Sequence, residues 1–197
     1  MGSARLDAQL AFLDEIDRLK TILRATKLND ASRHENTAEH SWHIAMYAMT
    51  LAEHAERPVD VARVIKMLLV HDIVEIDAGD TPIHADYDPA VKVQEEQAAA
   101  DRIFGLLPED QALTFRALWD EYETGESDDA VFARSVDRIQ PLMSNLANGG
   151  NSWIDYGVTY EQVERRVGDK ARPGAAKIWA HIQPRLRAWF ERGTQKN

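Results

Sequence analysis

His71 and Asp72 end the run Val61-Ala-Arg-Val-Ile-Lys-Met-Leu-Leu-Val70, an apolar helical segment in which an uncompensated charge is costly to bury. A divalent cation is the compensation that suits a neutral imidazole beside a carboxylate. Donors of the same types occur elsewhere in the chain: His40 in Thr37-Ala-Glu-His40-Ser-Trp-His43, Glu75 and Asp80 just downstream, and Asp137 in Val136-Asp-Arg-Ile139. Neighbours on one helix differ by about 100°, so an ion held by His71 and Asp72 lies at a seam between two faces and needs other elements to complete it. His40 and Asp137 would do so, giving two nitrogens and two oxygens. That set suits one Mn²⁺, Co²⁺, Ni²⁺ or Fe²⁺ per chain, admits Zn²⁺, and suits Mg²⁺ less well because Mg²⁺ prefers oxygen alone.

Each candidate also has a plainer role. A lone His-Asp pair is commonly a surface pair; the apolar helix before it, Glu75 one turn on and Glu39-His40 upstream favour the metal. Glu75 could hold or deprotonate a water, or form only a salt bridge. Asp77 and Asp80 flank Ala78-Gly79, where turn-forming Asp is common, and spacing does not choose between them. His43, at i+3 from His40, could stand beside the metal but is expected to pack or hydrogen-bond beneath the site. His34, His54, His84 and His181 read as surface or packing residues, Met46, Met49, Met67 and Met143 as core filler, and Trp119, Trp153, Trp179 and Trp189 as core or interface.

The elements that must position these groups read at helical period, with no convincing strand, so the expected fold class is all-α. A first helix is expected over about Leu6 to Arg24, carrying the stripe Leu10, Leu13, Ile16, Leu19 and Leu23. Asn36 with Glu39 forms a capping-box pattern for a second helix reaching about Ala55, which puts His40 in its first turn. A central helix runs from Val61 to Ile76 and leaves at Gly79. Asp88-Pro89 starts a helix over Ala90 to Phe104, Leu107-Pro108 another to about Tyr122, and a further one spans about Asp129 to Asn145. Asn148-Gly-Gly-Asn151 is a loop, Thr159 with Gln162 a second capping pattern, and Pro173 opens a final helix that Pro184 is expected to kink.

At 197 residues, with neither repeat nor low-complexity linker, one domain is expected over 1–197, its core about 19–179 with the C-terminal helix packed on it. Hydrophobic residues at 44% against 28% charged fit a compact globule rather than a disordered chain. A net charge of −10 argues against duplex nucleic acid or an anionic membrane as main partner. No run approaches the roughly 18 apolar residues of a membrane span, no signal-peptide pattern opens the chain, and the absence of Cys excludes disulfides and thiolate metal sites, so a cytoplasmic location is expected.

Taken together, Arg33-x-Glu-Asn-x-Ala-Glu-His40-Ser, Met67-Leu-Leu-Val-His71-Asp72-Ile-Val-Glu75, Gly79-Asp80-Thr-Pro82 and Asp137-Arg-Ile-Gln-Pro141 resemble the HD-domain metal-dependent phosphohydrolases, in particular the branch of bacterial 5'-deoxynucleotidases. The resemblance runs from about Leu19 to Trp179. It implies a helical HD bundle, metal ligands His40, His71, Asp72 and Asp137, catalytic positions at Glu75 and Asp80, and phosphate-side arginines at Arg24 and Arg33. It also implies hydrolysis of a (deoxy)nucleoside 5'-monophosphate to nucleoside and phosphate, and a homodimer, for which Trp179 and Trp189 on the last helix are candidate contacts. The branch carries Trp after the first arginine where this chain has Ala25, a departure that bears on selection against a ribose 2'-hydroxyl. Signalling-nucleotide hydrolases of the family place Glu-Asp together after the His-Asp pair, whereas Glu75 is followed by Ile76; the cyclic-dinucleotide branch carries a Gly-Tyr-Pro motif absent here. The alternatives are a nucleotide-binding regulatory protein without turnover and an HD hydrolase of another phosphorylated nucleotide.

Overall fold

The structure, a computed structural model, describes residues 2–83 and 87–194; His84 lies outside the described residues. Helices dominate, as expected. Helix α1 covers Gly2–Ile16, and a 3₁₀ turn over Asp17–Thr21 ends the first helical segment earlier than its apolar stripe implies. Strand β1, Leu23–Lys27, then pairs antiparallel with β2, His34–Asn36, in a hairpin that the helical periodicity does not foreshadow. The reversal is closed by local bonds: Leu28 N–H donates to Arg33 O, Ser32 N–H to Asp30 Oδ1, and Ala31 takes a φ of 60°. Arg24 therefore projects from a strand rather than a helix end.

Helix α2, Thr37–Leu51, starts at a complete capping box between Asn36 and Glu39. Asp60 caps α3, Val61–Val70, by accepting from the amides of Ala62 and Arg63. The expected single central helix is then interrupted. His71–Val74 tightens into a 3₁₀ turn, α4 resumes over Glu75–Ala78, and Gly79 at φ 70° turns the chain away. Glycine suits this position because its backbone values are strained for any residue with a Cβ.

Beyond it come α5, Pro89–Phe104, with Asp88 as cap and proline in its first turn; α6, Glu109–Thr124; and α7, Asp128–Ala147, capped by Ser127. Short helices α8, Asn151–Asp155, and α9, Tyr160–Val163, the latter opened by the Thr159–Gln162 capping box, lead through a π turn to α10, Asp169–Thr194. The stretch is two helices joined across a kink at Ala175, so the last one starts close to Pro173 as expected, while the backbone leaves helical values at Ala175 rather than at Pro184. At the neighbouring Gly174 a Cβ would lie 2.6 Å from both Val131 O and Ser135 Oγ, so α10 meets α7 there at close contact.

Three apolar clusters surround α7 and the central segment. Phe132 and Val136 of α7 pack with Ile44, Val64, Met67 and Leu68. Ile139 and Leu142 pack with Trp153, Trp179, Ile182 and Leu186. Val70, Ile73 and Ile76 face Ile103, Phe104 and Trp119. Trp179 is 2% exposed and Trp189 packs edge-on to Trp153, so both tryptophans offered as dimer contacts lie against this chain's own core. Met67 is core filler and Met143 borders the core, but Met46 and Met49 are exposed on the outer face of α2 beside Trp42. Among the described residues no helix is long and apolar enough to cross a membrane.

Candidate metal centre

Three chain segments converge on one point. The capping box starts α2 so that His40 turns inward from the first helical turn, the 3₁₀ tightening presents His71 and Asp72, and the buried face of α7 carries Asp137. His40 Nε2 lies 2.9 Å from Asp137 Oδ1 and 3.9 Å from Asp72 Oδ2. His71 Nε2 lies 2.9 Å from Asp72 Oδ1 and 3.9 Å from Asp137 Oδ1. One ligand atom each from His40, His71 and Asp72 falls within 4.8 Å of the others, the spacing a shared cation requires.

The outer nitrogens of both imidazoles are committed. His71 Nδ1 bonds Leu68 O at 3.0 Å, and His40 Nδ1 bonds Gln140 Oε1 at 3.0 Å. Carbonyl acceptors at both Nδ1 positions place the ring protons there and turn the Nε2 lone pairs to the centre, the arrangement seen around metal-ligating histidines. His71 Nε2 is buried with no hydrogen-bond partner, its close approach to Asp72 lacking the alignment of a bond. Two lone pairs facing two carboxylates in a buried space demand protons or a cation, so the donor set fits a divalent ion.

Arg24 reaches in from β1, with Nη1 at 3.2 Å from Asp72 Oδ2 and 3.5 Å from Asp80 Oδ1. Burial opposes its charge, but Asp72, Asp80, Glu75 and Asp137 hold it protonated. Glu75 is buried one turn beyond His71 and accepts from Thr37 Oγ1 at 2.9 Å. Burial, then the charge of Asp72, pushes its carboxyl well above the ordinary range. Asp80 is raised as well, again chiefly by burial, with Arg24 pulling the other way. These groups line a cavity of about 340 Å³ whose other walls include Tyr87, Lys92, Arg138, Trp153, Tyr156 and Lys170.

His40, His71, Asp72, Asp137, Glu75, Asp80 and Arg24 are thus brought together. Arg33 is not: its guanidinium is exposed, forks onto Glu39 and does not line the cavity. Asp77 parts from Asp80 by pairing with Arg102 on the surface. His43 lies beneath the site, its Nδ1 3.1 Å from Gln140 Nε2.

The residues beneath the ligands carry little signal in the sequence. Gln140 Nε2 contacts Glu35 Oε1 at 3.2 Å and Ser144 Oγ at 3.1 Å. Glu35 Oε2 stands 3.9 Å from Arg24 Nε, each without a hydrogen-bond partner. Tyr122 donates to Asp137 Oδ2, and Trp119 Nε1 to His71 O at 3.1 Å. Glu35 and Gln140 fall inside the stretches Arg33-x-Glu-Asn and Asp137-Arg-Ile-Gln that carry the family resemblance, yet their spacing does not show what they touch.

The HD domain family matches residues 16–179 of the chain. The 5'-deoxynucleotidase HDDC2 of Homo sapiens is 29% identical over 135 residues, 68% of this chain and 65% of that protein. A 5'-deoxynucleotidase of Enterobacter sp. (strain 638) is 28% identical over 158 residues, covering 75% and 78%. The chain thus spans just under two thirds of the human relative's length. The crystal structure of a predicted metal-dependent phosphohydrolase from Magnetospirillum magnetotacticum MS-1 superposes with a TM-score of 0.91 at 49% identity, covering 98% of this chain and 96% of that one. A conserved hypothetical protein from Pyrococcus furiosus, at 21% identity and a TM-score of 0.56 over 81% of this chain and 94% of its own, shares the fold.

Proposed function

This chain belongs to the HD-domain family, and from that premise we propose that it is a divalent-metal-dependent phosphomonoester hydrolase acting on (deoxy)nucleoside 5'-monophosphates. The observation that carries the proposal is the convergence of His40 Nε2 and His71 Nε2 with two carboxylates beside a cavity lined by His71, Asp72, Asp137, Glu75, Asp80 and Arg24. The names of the human and Enterobacter relatives, both 5'-deoxynucleotidases, and of the Magnetospirillum phosphohydrolase support the substrate class.

Lewis-acid polarisation of the phosphoryl group comes with a divalent ion held by His40, His71, Asp72 and Asp137. Arg24, kept cationic among carboxylates, orients the substrate phosphate. Glu75, one turn beyond His71 and in the cavity wall, accepts the proton of the water that adds to phosphorus. Asp80 positions that water or delivers a proton to the departing 5' oxygen as the P–O bond breaks. Arg33 has no part in this account because Glu39 holds it at the surface.

A panel of ribo- and deoxynucleoside 5'-mono-, di- and triphosphates, assayed for released phosphate with Mn²⁺ or Co²⁺, tests the reading. Phosphate from the monophosphates is the expected result. Tight nucleotide binding without any release would favour the regulatory alternative, and release confined to di- or triphosphates would move the protein to another HD hydrolase class.

A further inference from the structure

We infer that Glu35, acting through the side-chain amide of Gln140, sets the tautomer of His40 and so makes His40 Nε2 available as a metal ligand. The inference rests on the reading of His40 as a ligand and adds to it two positioning residues that touch neither ion nor substrate. Gln140 is fully buried, with Oε1 on His40 Nδ1 at 3.0 Å and Nε2 facing Glu35 Oε1, His43 Nδ1 and Ser144 Oγ at 3.1 to 3.2 Å.

An amide is nearly isosteric about its O and N ends, so its direction is decided by what it faces. The Ser144 hydroxyl and the His43 ring can each donate or accept and so tolerate either orientation. Glu35 cannot. An ionised carboxylate only accepts, and rotating the amide would set the Gln140 carbonyl against it in a buried space. The rotated amide would also present N–H groups to His40 Nδ1, forcing the ring proton to Nε2.

Without a metal, Asp137 Oδ1 at 2.9 Å favours that wrong tautomer, because it would accept an Nε2–H bond. Glu35 is therefore the group opposing Asp137. Glu35 is 4% exposed, and its other oxygen, Oε2, faces His40 Nδ1 at 3.6 Å and Arg24 Nε at 3.9 Å, beyond hydrogen-bond reach, so its charge also favours a proton at Nδ1.

Three proteins and a reference decide the matter: wild type, Glu35→Gln, the exchange Glu35→Gln/Gln140→Glu, and His71→Ala. Glu35→Gln keeps shape but lets the facing amide accept or donate, so the bias is lost; the exchange restores a carboxylate acceptor directly on His40 Nδ1. Co²⁺ affinity, measured by competition with a chelating dye, should fall on the order of 10- to 100-fold in Glu35→Gln, the scale of outer-ligand losses. The exchange should bring it back to within a few fold of wild type, a rescue that a purely packing role would not produce. Long-range ¹H–¹⁵N correlations of the metal-free proteins at alkaline pH read the tautomer directly: Nδ1–H in wild type and a substantial Nε2–H share in Glu35→Gln. His40 remaining wholly Nδ1–H in Glu35→Gln, or wild-type Co²⁺ affinity there, would overturn the inference. A wild type that binds Co²⁺ no more tightly than His71→Ala would instead overturn the metal site itself, and the inference with it.

Discussion

Tyr122 donates its hydroxyl to Asp137 Oδ2 at 3.0 Å, which leaves Oδ1 as the oxygen that faces both His40 and His71. The Tyr122 ring also packs against His71 at 4.6 Å between centroids, so one side chain orients two proposed ligands. Tyr122→Phe would remove that bond and leave Oδ2 facing Arg138 Nε at 3.7 Å. The variant should lose roughly 1–3 kcal/mol of stability, as for an unpaired buried group, and bind metal on the order of 10-fold more weakly. Urea unfolding and dye competition measure the two effects; wild-type values in both would show that the bond positions nothing.

Metal uptake should release protons. Burial alone would lower the His71 imidazole, but Asp72, with Asp137 and Glu75, raises it to about 9 in the metal-free chain. At a pH of about 7.5 the ring therefore carries a proton that ligation must expel, and metal affinity should rise with pH until about 9. For the metal-free protein the sign is opposite. A folded value above the unfolded 6.5 stabilises fully below pH 6.5, and that contribution is lost as pH rises through 9. Calorimetric titration near neutral pH in two buffers of different ionisation heat measures the released protons, and identical apparent enthalpies in both would refute the release.

Glu75→Gln keeps the size of the side chain and the contact with Thr37 while removing the proposed base. It should retain metal and nucleotide binding and lose turnover by about 10²-fold or more. Asp80→Asn should also retain metal, and a deeper loss there would transfer the main proton-handling role to Asp80. Near-wild-type rates in both variants would remove the catalytic roles assigned to these carboxylates.

Much of this architecture was legible because local signals agreed with tertiary ones. Asn36 with Glu39, Asp88-Pro89 and Thr159 with Gln162 marked helix starts that the fold uses. The proposed ligand types were legible for a similar reason: an apolar helix that ends in His71-Asp72 carries a carboxylate into the interior, where a cation must balance it. What escaped depends on contacts between distant segments. The β1–β2 hairpin carries Leu23 exposed and shows no clean alternation, so its pairing had no periodic signature. The break at Ala175 lies beside the close contact of Gly174 with α7, which no local pattern announces. Met46 and Met49 kept a helical spacing, yet spacing alone does not say which face of α2 meets the core. Arg33 and Arg24 looked equivalent until the hairpin placed Arg24 in the cavity and Glu39 held Arg33 outside. Glu35 and Gln140, far apart in sequence, acquire meaning only when both are seen beneath His40.

The central claim is that phosphate-ester hydrolysis here depends on an ion held by His40, His71, Asp72 and Asp137. The most direct measurement strips the protein with a chelator, returns Mn²⁺ or Co²⁺ in known amounts, and follows phosphate release from nucleoside 5'-monophosphates alongside elemental analysis. The account predicts that activity vanishes with the metal, returns in proportion to occupancy, saturates at one ion per chain, and does not return in Asp72→Ala. Undiminished hydrolysis by the stripped protein, or full metal occupancy and activity in Asp72→Ala, would contradict it.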